Sequence, residues 1–201
     1  MTIEAEIHAL CAEPAFQKEI AELLEKLCAI DTSQSSDPEV MREREDRIFR
    51  LIEEECKRCA FPGARLERRA IPPTIEGHPS FTIPYYARRG EETEPPRASH
   101  VYEKRSNLLF MIDGPGSPRG VGTAFNAHVD IVAPYISPGR AGDYIVGRGS
   151  TDDKGNIAAA IAALRIMKRL AEQAEHVQRK ADELSDQRQP PKSGRDQRKK
   201  T

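Results

Sequence analysis

The sequence predicts an α/β fold, on the strength of three kinds of segment. Residues 14–30 and 38–60 carry apolar side chains at three- and four-residue spacings, the pattern of helices that bury one face. Residues 106–112 and 121–132 are apolar runs of the kind that form buried strands. Residues 154–173 form the clearest helix, because they are rich in alanine and carry basic side chains late, where the helix dipole favours them.

Turn-forming residues separate these elements. A polar loop at 31–37 ends the first helix, and Pro38 is placed to open the second at its first position. Residues 64–71 alternate well enough for an edge strand, which two prolines then stop. The next stretch, 72–105, is a long insertion rich in Pro, Glu and Arg, and a connection of this length is either functional or mobile. Residues 143–147 are expected to form a short strand or a turn.

Length and charge exclude some classes of partner. At 201 residues, with 38% hydrophobic residues, no Trp and a mean hydropathy of -0.63, the chain has the size of one domain and the composition of a soluble protein. Its net charge is -1, from 31 basic and 32 acidic residues, so we expect neither nucleic acid nor a membrane as a partner. No apolar run approaches the ~18–20 residues of a membrane span.

The cysteines and the N-terminus predict a cytoplasmic protein. The first residues are acidic where a signal peptide would be basic, and Cys11, Cys28, Cys56 and Cys59 are therefore expected to be free thiols. Cys56 and Cys59 form a C-x-x-C pair, which could indicate metal or redox chemistry. The sequence has no second such pair, and the helical setting favours two half-buried cysteines.

The chemistry is concentrated in two segments about twenty residues apart. In the first, His128 and Asp130 lie two apart, so their side chains would point to the same side of a strand. A neutral imidazole suits zinc, cobalt or manganese, and a neighbouring carboxylate can orient the ring. In the second, Asp152 and Asp153 lie at the start of a helix, where one carboxylate could bridge two metal ions. Taken alone, an H-x-D pair is weak evidence for a metal site.

Glycines surround the second segment. Gly149 and Gly155 let the backbone turn tightly around such a site. The same segment, G-R-G-S-T-D-D-K-G, could also be read as a loop that cradles phosphate, but its acidic residues argue against an anion.

Together, N-A-H-V-D-I-V-A-P and the later G-R-G-S-T-D-D-K-G-N-I-A-A resemble the signature of a zinc metallopeptidase and amidohydrolase family. That family includes acetylornithine deacetylase, succinyl-diaminopimelate desuccinylase, aminoacylase, carboxypeptidase G and carnosinase-type dipeptidases. The resemblance is strong over about 107–170, unspecific over the N-terminal helices and absent after Gln173. It implies a three-layer α/β domain with a mixed sheet between helices, here incomplete and followed by a disordered basic tail.

The resemblance also implies roles for individual residues. His128 matches a histidine that binds one metal ion, Asp130 the acid that clamps its ring in the catalytic site, and Asp152 the carboxylate that bridges both ions. Asp153 follows as a supporting residue, and the peptide bond between Asp152 and Asp153 is expected to be cis. In such enzymes a hydroxide held by two zinc ions, or by cobalt or manganese, attacks an amide carbonyl. The implied substrates are small peptides or N-acyl amino acids.

The sequence departs from the family after the predicted helix. The Glu-Glu pair that would provide the general base is missing, and the only later histidine, His176, lies in a polar tail. We therefore expect residues 1–173 to be the first part of a catalytic domain and 174–201 a polar tail, a frayed helical extension followed by disorder. Together they would be a truncated and catalytically incomplete form. A homodimer is expected only if the family's lid domain were present.

A second hypothesis comes from a different class of function. The chain could be a non-catalytic binding or interaction module that keeps the start of the fold and uses the 72–105 insertion or the basic tail. The two hypotheses differ in whether the missing ligands are provided elsewhere, for example by a second polypeptide in a split enzyme.

Overall fold

The computed structural model describes residues 2–87, 96–113 and 122–187. The middle of the insertion, the connection after the second strand and the last part of the predicted disordered tail lie outside the described residues. The helices are α1 (Ile3–Ala12), α2 (Pro14–Ala29), α3 (Pro38–Arg58), the short α4 (Ala98–Val101) and α5 (Lys154–Gln187). The strands are β1 (Arg65–Ala70), β2 (Ser106–Met111), β3 (Gly139–Ala141) and β4 (Tyr144–Val146), and two 3₁₀ turns span Pro73–Gly77 and Tyr85–Ala87.

The predicted helices α2 and α3 form within a residue or two of the predicted ends. Both begin with a proline, and the Asp37 side chain accepts a hydrogen bond from the backbone N–H of Glu39 at 2.8 Å, which caps α3. Helix α1 was not predicted. It is a mostly exposed helix that contributes Leu10 to a small cluster with Phe16 and Ile166.

The main core lies where α2, α3 and α5 meet. Its members are buried apolar side chains, of which each leucine, isoleucine and phenylalanine contributes about 1.5–3 kcal/mol when fully removed from water. They are Leu23, Leu27, Ile48, Phe49, Ile52, Cys56, Cys59, Ile157, Ala158 and Ile161. Because the first turns of α5 contribute three of these residues, the core fixes the N-terminus of that helix.

The strands form two small antiparallel sheets, so the α/β class with an incomplete sheet is confirmed. Strand β1 pairs with β2 from Arg65 opposite Met111 to Ala70 opposite Ser106, and β3 pairs with β4 as a hairpin. Strand β2 is partly rather than fully buried. Parallel pairing among the described residues is limited to one bridge, between Ser33 and Ile131.

The strand predicted at 121–132 does not form over its described part, which starts at residue 122. On one side the segment is held by the loop after α2, because Ile131 N–H donates to the Thr32 carbonyl at 3.1 Å and Gln34 N–H donates to the Ile131 carbonyl at 3.2 Å. Within the described ranges no strand pairs with its other side, and a ladder needs repeated pairing. Val129 still packs against the main core.

Helix α5 continues to Gln187, past residue 173, where the sequence predicted the regular helix to end. Residues 174–180 are exposed, so packing does not hold this part. Its composition does, since Ala, Glu, Gln, Lys and Arg are good helix formers and Pro190 is the first proline in this stretch. In the part of the chain that the structure describes, no helix combines the length and apolar character needed to cross a bilayer.

Candidate metal centre

Two segments without regular secondary structure build the candidate site. The first, 122–131, carries His128 and Asp130, and the second is the turn at 147–153 that leads into α5 and carries Asp152 and Asp153. The loop after α2 holds the first segment, and the packed N-terminus of α5 holds the second.

Gly149 in this turn and Gly155 at the start of α5 both lie against neighbouring atoms. Gly149 has a φ of +88°, and a Cβ there would lie 2.8 Å from Cγ2 of Ile131. A Cβ on Gly155 would lie 2.4 Å from the backbone oxygen of Ser150. A side chain at Gly149 would therefore push the two segments of the site apart, and one at Gly155 would push the 147–153 turn away from the start of α5.

The structure brings His128, Asp130 and Asp152 together. The His128 Nε2 atom lies 3.0 Å from Asp152 Oδ1. On the other side of the ring, Nδ1 lies 3.0 Å from the backbone oxygen and 3.2 Å from Oδ1 of Asp130. The imidazole is half-exposed and Asp152 is 85% exposed, so the centre opens to solvent on the Asp152 side.

Asp153 connects the first segment of the site to the start of α5. Its carboxylate is 9% exposed, and Oδ2 accepts a hydrogen bond from the backbone N–H of His128 at 3.0 Å. Its other oxygen accepts from the side-chain amide of Asn156 in the first turn of α5. Both carboxylate oxygens are thus engaged with protein donors. The peptide bond between Asp152 and Asp153 is cis, as predicted.

The surrounding carboxylates change the acidity of His128. Burial alone would lower the pKa of the imidazole. The charge of Asp130, the hydrogen bonds to Asp130 and Asp152 and the charge of Asp153 outweigh burial and raise that pKa above its ordinary value. The protonated ring donates from both nitrogens, so a metal ion at Nε2 has to displace a proton.

Two further side chains support the segments of the site and were not predicted. Gln34 donates from Nε2 to Asp130 Oδ2 at 2.9 Å. Lys154 is fully buried, and its Nζ donates to the Ile30 carbonyl at 2.7 Å. Burial lowers the pKa of Lys154, although Cys28 and Asp31 act in the opposite direction. These contacts join residues about a hundred positions apart, and the sequence carries no local signal for them.

The donors present fit part of a zinc site. His128 Nε2 and Asp152 Oδ1 are 3.0 Å apart, and two ligands of a tetrahedral zinc ion with bonds of ~2.0–2.1 Å would be ~3.3 Å apart. A small rotation of the exposed Asp152 side chain closes this difference. The contact of Nδ1 with Asp130 is the one that metal-binding histidines usually make with their second nitrogen. Among the described residues, however, no three His, Cys, Asp or Glu side chains converge as a metal site would require.

Comparison with known proteins supports the metallopeptidase family that the sequence resembles, at the level of the family. Residues 124–178 match the model of peptidase family M20/M25/M40. This match covers about a quarter of the chain and contains all four site residues, so it supports a metal-dependent hydrolase of peptidase type at the level of the family but no particular member. It starts later than the resemblance at 107–170 and continues past Gln173. Searches of curated proteins and of solved structures found no match.

Proposed function

We propose that this chain carries one part of a dinuclear zinc centre that hydrolyses amide bonds in small peptides or N-acyl amino acids. In this proposal His128 and Asp152 are metal ligands and Asp130 is the carboxylate that orients the His128 ring. One observation carries the proposal: His128 is held between Asp130 and Asp152, at 3.2 and 3.0 Å, inside the segment that matches the peptidase family.

Each residue has a definite task. The backbone oxygen and the carboxylate of Asp130 both face Nδ1 of His128 and keep the ring proton on that nitrogen, which leaves the Nε2 lone pair for the metal. Asp153 ties the His128 backbone to the start of α5, so the two ligand segments stay in register. Asp152 is exposed and therefore free to turn toward a shared ion. A bound zinc ion supplies a hydroxide nucleophile near neutral pH and polarises the amide carbonyl.

We further propose that this part of the centre, formed by His128, Asp130 and Asp152 and called the half-site below, is catalytically incomplete by itself. No third candidate ligand joins His128 and Asp152 in the described ranges, and both oxygens of Asp153 are already engaged. The remaining ligands and a general base would come from outside the described residues or from a second polypeptide. A cytoplasmic setting is part of the proposal, because the four cysteines are free thiols and a reducing compartment keeps them so.

Zinc titration by calorimetry tests the ligand assignment. Wild-type protein is compared with His128→Ala and Asp152→Ala, and Asp143→Ala is the matched control because Asp143 is an exposed acid in the β3–β4 turn. We expect both ligand variants to weaken zinc binding about tenfold or more and the control to bind like wild type.

Two results would contradict the proposal. Equal zinc binding by all four proteins would mean that His128 and Asp152 are not ligands, and the non-catalytic binding module would then be the better account. Hydrolysis of a dipeptide or an N-acetyl amino acid by the chain alone, lost in His128→Ala, would show that the centre is complete and would overturn the half-site.

A further inference from the structure

The 72–105 insertion reaches the candidate centre through two side chains, Gln34 and Tyr85. Gln34 lies in the loop after α2, and Tyr85 begins the second 3₁₀ turn of the insertion. Nothing in the sequence motifs connects either residue with His128. Their contacts form a hydrogen-bonded chain that ends at the Asp130 carboxylate, and Oδ1 of that carboxylate lies 3.2 Å from Nδ1 of the imidazole.

The loop after α2 fixes the backbone on both sides of Asp130. The Thr32 hydroxyl donates to the Val129 carbonyl at 2.6 Å, and the Ile131 N–H donates to the Thr32 carbonyl at 3.1 Å. Gln34 closes the third contact, from its backbone N–H to the Ile131 carbonyl at 3.2 Å. The Gln34 side chain is therefore held opposite the Asp130 carboxylate by three backbone-directed bonds.

Gln34 decides how the Asp130 carboxylate is turned. Its Nε2 donates to Oδ2 of Asp130 at 2.9 Å, while the other carboxylate oxygen, Oδ1, lies 3.2 Å from Nδ1 of His128. Since the two oxygens of a carboxylate are fixed relative to each other, holding Oδ2 aims Oδ1 at the ring. Without this bond Asp130 could rotate toward solvent, because its side chain is 34% exposed.

Tyr85 in turn holds the end of the Gln34 amide that faces away from Asp130. The phenol hydroxyl donates to Oε1 of Gln34, which leaves the NH₂ group as the end that points to the carboxylate. The opposite orientation would place an amide oxygen against a carboxylate oxygen, two acceptors without a proton between them.

We propose that Gln34 is a positioning residue for His128 and that Tyr85 of the insertion holds the Gln34 amide in place against the Asp130 carboxylate. The hydrogen bonds run from the Tyr85 hydroxyl to Gln34 and from Gln34 to the Asp130 carboxylate, whose Oδ1 lies 3.2 Å from Nδ1 of the ring beside the Asp130 backbone oxygen at 3.0 Å. Nδ1 thus faces two oxygens of Asp130, while Nε2 faces only the exposed carboxylate of Asp152, and this difference favours the tautomer with the proton on Nδ1 and the lone pair on Nε2. The inference rests on the proposed function in assigning Nε2 as the metal donor.

The test has one readout that needs no metal. Nitrogen NMR of the His128 ring, assigned by its loss in His128→Gln, reports the tautomer at a pH where the ring is neutral. We expect the Nδ1–H tautomer to dominate in wild type and to lose population in Gln34→Met and Tyr85→Phe. Tyr144→Phe is the matched control, because Tyr144 is an exposed tyrosine of similar accessibility in β4.

Zinc affinity of the same proteins provides the second readout. We expect Gln34→Met to weaken zinc binding about tenfold, in the range found for residues that orient a ligand, and Tyr85→Phe by a smaller factor. Tyr85 is 70% exposed, so its variant loses only a hydroxyl and is expected to keep the thermal midpoint of wild type.

The outcomes separate this inference from the function on which it rests. Zinc binding that depends on His128 and Asp152, with tautomer and affinity unchanged in Gln34→Met and Tyr85→Phe, would overturn the positioning role alone. A tautomer shift in both variants, with no zinc binding by wild type, would support the positioning role and remove the metal function. A wild-type ring with its proton on Nε2 would also overturn the inference.

Discussion

Gly155→Ala tests whether the turn before α5 is as tightly packed as the site requires. Gly155 is the second residue of α5, and helix propensity alone would favour alanine there by ~0.8–1.0 kcal/mol. The new Cβ would, however, lie 2.4 Å from the backbone oxygen of Ser150, a separation that real Cβ atoms essentially never show. The neighbour is backbone rather than a flexible side chain, so the turn carrying Asp152 and Asp153 has to move.

The expected size follows from two opposing effects. Overpacking of this kind costs ~1–3 kcal/mol, and the middle of that range less the gain in helix propensity leaves a net loss of about 1 kcal/mol. For a chain of this length that loss lowers the thermal midpoint by about 2–4 °C. Zinc binding should weaken as well, because a displaced turn changes the 3.0 Å separation of His128 Nε2 and Asp152 Oδ1.

Urea denaturation and zinc calorimetry measure both effects. Gly77→Ala is the matched control, since no atom lies within 4 Å of its new Cβ and its φ is not positive. We expect that control to gain ~0.4–1 kcal/mol from the loss of conformational freedom in the unfolded chain and to bind zinc like wild type. If Gly155→Ala were stabilised as much as Gly77→Ala and kept its zinc affinity, the argument for a rigid turn would be wrong.

Three further predictions follow from the shifted pKa values. Because the pKa of His128 is raised, zinc affinity measured by calorimetry should rise with pH just above the usual imidazole range and then level off; a flat profile would contradict proton displacement. Iodoacetamide at pH 8 should modify exposed Cys11 but not Cys56, whose pKa burial raises to about 11, until urea unfolds the chain; equal labelling of both would contradict this. The hydrogen bond from Arg68 lowers the pKa of Glu53. The ion pair therefore stabilises the folded chain fully at pH values above the unfolded carboxyl pKa of ~4.3, and this stabilisation is lost as the pH falls through the lower pKa of folded Glu53. In urea titrations, Arg68→Gln should therefore lose less free energy of unfolding on acidification than wild type. An equal loss in both proteins would contradict a stabilising role for this ion pair.

Local signals predicted the parts of the structure that depend on neighbours in sequence. Helix α3 begins where Pro38 and the capping side chain of Asp37 place it, and the spacing of its apolar residues gives the buried face. The strand at 121–132 was predicted wrongly because an apolar run shows a tendency to form a strand, while a ladder also needs a partner. The contacts of Gln34 and Lys154 could not be predicted, since each depends on how the chain folds back over about a hundred residues.

The loop at the end of α2 connects the two halves of the candidate centre. The Lys154 side chain passes close to Gly149, and its Nζ donates to the carbonyl of Ile30 at the C-terminal end of α2. The helix dipole favours a cation at this end of a helix. That contact ties the turn with Asp152 to the same loop whose Gln34 side chain binds Asp130. The distance between His128 and Asp152 therefore depends on one short segment that carries neither residue. Burying a lysine is costly unless its ammonium is hydrogen-bonded or paired, and the bond to the Ile30 carbonyl together with the nearby charge of Asp31 offsets part of that cost.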